Sequence, residues 1–231
     1  MVMTDDEPVT PGVLRPKDAA TLVLVRRDPD APRVLMGCRP SGMAFMANKY
    51  VFPGGRMDAC DQRLIVTSEL RPDVMARLSK GVGSQRARGL ALAAVRETFE
   101  ETGVLVGEYG PTPRTRSPVW SKFFAQGVAP RLDRLEFIAR AITPPNRTRR
   151  FDARFFMADA SAIAHALPVP EHYDLLRPSW LTLSEARRLD VPAITLRILE
   201  EVEDRLAENR AGDRPVPFFR FIRGKTVQSA L

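Results

Sequence analysis

Cysteine is scarce in this sequence, and its scarcity excludes two classes of protein. Only Cys38 and Cys60 occur among the 231 residues. Two isolated cysteines are too few for a disulfide framework or for a thiolate metal site. A reducing compartment is the simpler expectation, and we expect the protein to be cytoplasmic.

Long apolar runs and an export signal are also lacking. No stretch approaches the ~18 uninterrupted apolar residues that a membrane span requires. The chain starts MVMTDDEPVTPG, which is acidic where a signal peptide would be basic and then apolar. We therefore expect no membrane partner, a flexible tail over residues 1–17 and a single domain over residues 18–231.

Lysine is rare too, so the positive charge is almost entirely arginine. The formal net charge is +7, from 35 basic and 28 acidic residues, and lysine accounts for only five of the basic ones. A planar guanidinium binds phosphate oxygens in pairs, so the charge favours an anionic partner. Charge alone does not choose between nucleic acid and a phosphorylated small molecule.

Hydrophobic patterning predicts an α/β fold with a mixed sheet between helices. Residues 19–26 and 33–38 are typical of a β-hairpin, and residues 39–55 of an active-site loop that ends in Pro-Gly-Gly. The other predicted elements are strands at 133–143 and 150–158, a strand entering a helix over 177–189 with Ser184 as its N-cap, a helix at 193–208 and a closing strand after Gly212. Residues 56–88 contain a helix-like stretch near 72–80, followed by a composition suited to a mobile surface excursion.

The clearest predicted helix covers residues 90–102 and ends at Gly103, a suitable left-handed cap. On this helix Glu97, Glu100 and Glu101 occupy positions i, i+3 and i+4, so they share one face. Their mutual repulsion, added to the negative end of the helix dipole, calls for a compensating cation. Mg²⁺ or Mn²⁺ would suit carboxylate oxygens; a solvated acidic helix end is the alternative.

Two segments around this helix resemble the Nudix hydrolase family. RETFEETGV, at residues 96–104, matches the second half of the Nudix box, and Phe52-Pro53-Gly54-Gly55 matches the turn that opens it. The resemblance implies a Nudix-type α/β/α sandwich and a metal-dependent hydrolase. Forty residues lie between Gly55 and Arg96, twenty-seven more than in the family pattern, so an inserted segment splits the box. The first glutamate of the box has only Asp58 and Asp61 as substitutes.

The resemblance also implies roles for individual residues. Glu97, Glu100 and Glu101 would bind the ion, the Gly54 carbonyl would add an oxygen, and Arg96 would orient a carboxylate. Glu171 and Asp174 are candidates for a further catalytic acid, with solvated loop acids as the alternative. His172, beside them, is expected to be a structural residue rather than a base.

Cations and aromatic rings near the turn are candidates for substrate binding. Phosphate groups would meet Arg39, Lys49 and Arg56. Phe45 and Tyr50 would either stack on a nucleobase or belong to the core. The arginines at 147, 149 and 150 form a second basic cluster, for which a solvated strand edge is the alternative.

An interrupted box of this kind is similar to that of the peroxisomal coenzyme A diphosphatases of animals. The leading prediction is therefore a diphosphatase that cleaves the phosphoanhydride bond of a nucleoside diphosphate derivative, with coenzyme A or acyl-CoA as the first candidate. The alternatives are an ADP-ribose or dinucleotide pyrophosphatase and a non-catalytic Nudix-fold module that binds nucleotides or RNA. We expect a nucleotide-type small molecule rather than nucleic acid as the partner; the insertion would be a lid or a homodimer contact.

Overall fold

A computed structural model describes residues 14–42, 46–145, 147–168, 176–208 and 214–231, with only the backbone described at Leu176. Strands form most of the framework. In chain order the strands are β1 (Lys17–Arg27), β2 (Pro32–Cys38), β3 (Tyr50–Val51), β4 (Gly54–Arg56), β5 (Val104–Val106), β6 (Glu108–Tyr109), β7 (Val128–Ala129), β8 (Glu136–Ile142), β9 (Phe151–Asp159), β10 (Ile163–Ala166), β11 (Leu176–Thr182), β12 (Pro217–Ile222) and β13 (Lys225–Ala230).

Helices connect and cover these strands. They are α1 (Ala59–Arg63), α2 (Pro72–Leu78), α3 (Ser84–Thr102), α4 (Pro118–Phe124), α5 (Leu183–Arg188) and α6 (Ala193–Ala207), with short 3-10 turns at Leu132–Arg134 and Ala160–Ala162. Within the described residues, no helix is both long enough and apolar enough to cross a lipid bilayer.

The described strands form one large mixed sheet and two small two-stranded ribbons. The large sheet has the order β11-β2-β1-β9-β8-β12-β13, with β3 paired to β2 and β4 paired to β1. The β1–β9 and β8–β12 pairs are parallel and the remaining pairs of this sheet are antiparallel. The predicted mixed sheet is confirmed.

Strand β1 shows why helices lie on both faces of this sheet. Its side chains alternate between two separate cores: Leu22 and Leu24 pack on one side, Val23 and Val25 on the other, and all are buried. A strand buried on both faces requires a cover on each. The first core contains residues of α2, α3 and α4, and the second contains residues of α5 and α6. The α/β/α sandwich follows from this pattern.

Most of the predicted elements are confirmed with shifted ends. The hairpin forms, with Val25 opposite Val34, and Gly103 caps α3 in the left-handed conformation, at φ 72°. The prediction of Ser184 as an N-cap is wrong. Thr182 caps α5 instead, because its hydroxyl accepts from the Glu185 amide while the Glu185 carboxylate accepts from the Thr182 amide.

Within residues 56–88, the helix predicted near 72–80 forms as α2, and the surface excursion predicted after it is partly helical. Helix α3 begins at Ser84, six residues before the predicted start, and Ala87 is fully buried. Upstream of it the segment contributes five apolar side chains to the first core, at Leu64, Val66, Leu70, Val74 and Leu78. A chain segment that buries this much apolar surface is held by the same hydrophobic effect as the rest of the core.

Candidate active site

Helix α3 positions the three candidate carboxylates beside the sheet. Its apolar side chains, including Leu92, Val95 and Phe99, are buried in the first core, so the helix is anchored against β1 and β4. Side-chain exposure is 16% for Glu97 and 33% for Glu100, while Glu101 is only 4% exposed. The acidic face is thus partly buried at a rigid helix end, which excludes the alternative of a fully solvated acidic surface.

The glycine turn lies directly against this acidic face. The Gly54 amide donates a hydrogen bond to Glu101 Oε2 at 2.8 Å. A Cβ atom placed on Gly55 would come within 2.5 Å of the Glu97 carboxyl carbon, and one on Gly54 would come 2.6 Å from the Ala20 carbonyl oxygen. Any side chain at either position would displace the carboxylates or the sheet. The two glycines therefore allow the turn to approach the Glu97 carboxylate and strand β1 closely.

Arg96 ties the carboxylates together from the buried side of the helix. Its Nε and Nη2 donate to Asp61 at 3.0 Å, and its Nη2 also donates to the Arg56 carbonyl at 2.8 Å. Its Nη1 lies 2.9 Å from Glu97 Oε1 and donates to Glu100. Burial lowers the pKa of Arg96, but its hydrogen bond to Asp61 and the neighbouring glutamates raise that pKa by more. The guanidinium is permanently charged and fixes two glutamates at one nitrogen.

Asp61 is the acidic residue that completes this network. It is fully buried and stands six residues after Gly55, which is the spacing of the first acid in the box. Besides Arg96, it accepts hydrogen bonds from the Asp58 amide at 2.9 Å and from Trp120 Nε1 at 2.9 Å. Counting forward from Gly55 was the signal that could have selected Asp61 over Asp58. The sequence contained no signal for Trp120.

The predicted site residues that the structure describes lie close together, but their side chains are not arranged as a metal-binding site. Among the described residues, no group of three or more His, Cys, Asp and Glu side chains is arranged to hold a metal ion. Glu97 and Glu100 converge on Arg96, whereas Glu101 binds the Gly54 amide. That contact involves the amide of Gly54, so the predicted role of its carbonyl as a ligand stays a prediction.

The donor set nevertheless fits a hard divalent cation. Three carboxylates, those of Asp61, Glu97 and Glu100, surround the single guanidinium of Arg96, and Glu101 lies on the same helix face against the Gly54 amide. Four acids beside one guanidinium leave an excess of negative charge that Arg96 does not compensate. Carboxylate oxygens at i, i+3 and i+4 are the ligand type that Mg²⁺ and Mn²⁺ prefer. Burial raises the pKa of Glu97 to about 7 although Arg96 lowers it.

The raised pKa of Glu97 predicts how the stability of the metal-free protein depends on pH. A folded-state pKa of about 7 exceeds the ordinary 4.5, so the folded state binds this proton more tightly. The resulting stabilisation is complete below about pH 4.5 and is lost as the pH rises through 7. The loss is about 3 kcal/mol at most.

Urea unfolding in EDTA at about pH 5 and about pH 8 measures this effect. The free energy of unfolding should fall more between these two pH values for the wild type than for Glu97→Gln. Equal decreases in the two proteins would contradict the assignment of the pKa to Glu97.

Two known proteins are similar to this chain, although no family model matches it. The candidate Nudix hydrolase 7 of Caenorhabditis elegans is 28% identical over 202 residues, which are 71% of this chain and 60% of the worm protein. The crystal structure of a Nudix hydrolase from Alicyclobacillus acidocaldarius aligns with a TM-score of 0.59 and 27% identity, over 80% of this chain and 90% of that one. The chain is therefore similar in sequence and in fold to Nudix hydrolases. It spans about 60% of the length of its curated relative.

The likeness to Nudix hydrolases gives the site its frame: the helix that matches the second half of the Nudix box is α3, and the matching glycine turn leads into β4. The predicted Nudix-type fold is confirmed. Between Asp61 and Arg96 the chain runs through α1, α2 and the first turns of α3 before it returns to the box. The position of the extra residues therefore leaves both halves of the box in contact.

The predicted substrate-binding cations differ in their surroundings. Lys49 Nζ lies 2.7 Å from Asp190, so its charge already has a carboxylate partner. Arg56 is 55% exposed beside the box turn, and its guanidinium lies 3.7 Å from Asp58. Arg39 is half-buried, and its backbone pairs with Lys49. Of the three, Arg56 has the most freedom to reach a phosphate group.

Other candidates are placed apart from the acidic face or are not described. Tyr50 is half-buried and packs against the second core, on the α5 and α6 side of the sheet. Arg150, in the second basic cluster, donates to the Thr143 and Leu14 carbonyls, which is a structural role. Four predicted residues lie outside the described residues: Phe45, Glu171, His172 and Asp174.

Proposed function

We propose that the protein is a divalent-metal-dependent diphosphatase that cleaves the phosphoanhydride bond of a nucleoside diphosphate derivative. One observation carries the proposal: Arg96 holds Glu97 and Glu100 together while Gly54 holds Glu101, on one face of α3 beside the box turn. An acidic cluster of this density is costly to bury unless it serves a cation. The similarity to Nudix hydrolases supports the reaction class.

Each of the chain's own residues has a definable task in this reaction. Glu97, Glu100 and Glu101 would hold Mg²⁺ or Mn²⁺, which when bound supplies charge neutralisation at the phosphate oxygens and acidifies an attacking water. Arg96 orients two of these carboxylates, and Asp61 holds Arg96. The missing side chain at Gly55 lets the Glu97 carboxylate pack directly against the turn. Arg56 would contact a substrate phosphate from the rim of the site.

Coenzyme A or an acyl-CoA is the first candidate substrate, and ADP-ribose or a dinucleotide is the second. The first choice rests on the interrupted Nudix box, which resembles that of the animal coenzyme A diphosphatases. All of these molecules contain a diphosphate linked to a nucleoside, so the same acidic face would serve each of them. The groups that distinguish them would be recognised outside α3.

A substrate panel tests the proposal. The protein is incubated with coenzyme A, ADP-ribose, NADH and capped RNA in Mg²⁺ or Mn²⁺, and the products are separated by chromatography. We expect phosphopantetheine release from coenzyme A and its loss in Glu100→Gln. Glu200→Gln, an exposed acid on α6, serves as the control and should retain full activity.

The remaining outcomes of the panel separate the alternatives. Faster turnover of ADP-ribose or NADH than of coenzyme A would select the second substrate class. Absence of turnover of all four compounds by the wild type would refute the enzyme and favour the non-catalytic binding module.

A further inference from the structure

We propose that Trp120, which lies outside the Nudix box on α4, is a positioning residue of the active site. It acts through Asp61 on Arg96, and through Arg96 on Glu97 and Glu100. This inference rests on the proposed function, and it makes α4 part of the metal-binding machinery.

The contact that carries the inference is a buried hydrogen bond between two fully buried side chains. Trp120 Nε1 donates to Asp61 Oδ1 at 2.9 Å, and both residues have no exposed surface. An indole N–H donates only, and burying it without an acceptor costs about 1–3 kcal/mol. The carboxylate is charged, which makes this bond stronger than one between neutral groups. Trp120 and Asp61 therefore constrain each other.

Asp61 has its orientation set from three directions. Its Oδ1 accepts from Arg96 Nε at 3.0 Å as well as from Trp120, and its Oδ2 accepts from Arg96 Nη2 at 3.0 Å and from the Asp58 amide at 2.9 Å. Aspartate is one methylene shorter than the glutamate of the family box, so it reaches Arg96 only from a fixed place. Trp120 and the Asp58 amide supply the contacts that fix it.

Trp120 is itself held against α3, so the network closes into a ring. Its indole stacks on Phe124 at 5.5 Å, and it meets Phe123 edge-on at 5.3 Å. Phe123 in turn meets Phe99 of α3 edge-on at 5.3 Å. The ring runs from Arg96 to Asp61, to Trp120, to Phe123 and back to α3. Closed packing of this kind holds a side chain more rigidly than a single contact does.

Replacing the indole by a phenyl ring should make Arg96 less well positioned, while the phenyl ring still fills most of the space that the indole occupies. One oxygen of Asp61 loses a partner, the carboxylate can rotate, and the guanidinium loses its two-point support. Glu97 and Glu100 then hold a cation less well, because both are oriented by Arg96 Nη1. The substrate itself does not contact Trp120, which is fully buried.

The experiment compares Trp120→Phe with Phe137→Leu, a control that changes a buried ring of the same core on β8. Binding of Mn²⁺ alone is followed by electron paramagnetic resonance, and kcat and KM are measured for the panel substrate turned over fastest. Partners of metal ligands typically contribute 10- to 100-fold, so we expect about ten-fold weaker Mn²⁺ binding and about ten-fold lower kcat in Trp120→Phe. KM should change by less than about two-fold. Phe137→Leu should match the wild type in Mn²⁺ affinity.

A double variant tests whether Trp120 acts through Asp61. In an Asp61→Asn background the charged partner through which Trp120 acts on Arg96 is gone, so Trp120→Phe should cause a much smaller further loss of Mn²⁺ affinity than it causes alone. Equal losses in the two backgrounds, or Trp120→Phe and Phe137→Leu behaving alike, would overturn the inference while leaving the diphosphatase intact. A wild type that neither binds Mn²⁺ nor turns over any substrate would overturn both proposals, and it is recognised before any variant is made.

Discussion

Replacing Glu101 by glutamine should lower kcat by about a hundred- to a thousand-fold, the range seen when one charge-stabilising group is removed from an active site. Glutamine has the same shape as glutamate. Its side-chain carbonyl oxygen can still accept the hydrogen bond that the Gly54 amide donates to Glu101 at 2.8 Å. The turn should therefore stay in place while the negative charge is lost. This separates the chemistry of Glu101 from its role in the fold.

Initial rates and circular dichroism on the same samples check this prediction. Glu200→Gln is again the control, since Glu200 is 52% exposed on a different helix. An unchanged spectrum with lost activity is the expected result for Glu101→Gln. Retention of more than a tenth of the wild-type kcat would remove Glu101 from the catalytic set.

Substitution of Asp61 by alanine should destabilise the protein by about 3–5 kcal/mol, because it leaves the buried charge of Arg96 with less compensation. The side chains of Arg96 and Asp61 are 4% and 0% exposed, so water cannot replace the lost carboxylate without disturbing the core. The variant also leaves the Trp120 indole without its acceptor. Both costs arise from one side chain.

Urea denaturation of the metal-free protein measures this effect, with Asp73→Ala as the matched control. Asp73 lies in the same segment, is 43% exposed and pairs with Arg71 at 3.3 Å, so its loss should cost less than about 1 kcal/mol. Asp61→Asn should fall between the two, because an amide oxygen can still accept from Trp120. A free-energy change for Asp61→Ala as small as that for Asp73→Ala would show that Arg96 does not depend on Asp61.

Helix α3 could be predicted because its signals are local. Spacing of three and four residues places Glu97, Glu100 and Glu101 on one face, and Gly103 ends the helix by adopting a left-handed conformation. The strands of the hairpin were equally predictable from a short apolar pattern. In each case the residues that decide the element lie within one or two turns of it.

Residues 56–88 show where composition misleads. The last part of this range, GVGSQRAR, has the composition of a surface excursion, but α3 begins within it and Ala87 is fully buried. Upstream of it, apolar positions such as Leu64 and Leu78 fill the first core. Scattered apolar residues indicate burial only when the surface against which they pack in the folded protein is known. That surface is formed by α3 and the sheet, which are assembled from distant parts of the chain.

The sequence by itself determined the acidic face, the glycine turn and the presence of both strands and helices, since all three depend on neighbours along the chain. Only the tertiary structure decided which acid holds Arg96 and that Trp120 holds that acid. Asp61 stands 35 residues before Arg96, and Trp120 stands 59 residues after Asp61. Contacts between residues so far apart in the sequence depend on how the helices pack on the sheet, and no local sequence pattern predicts them.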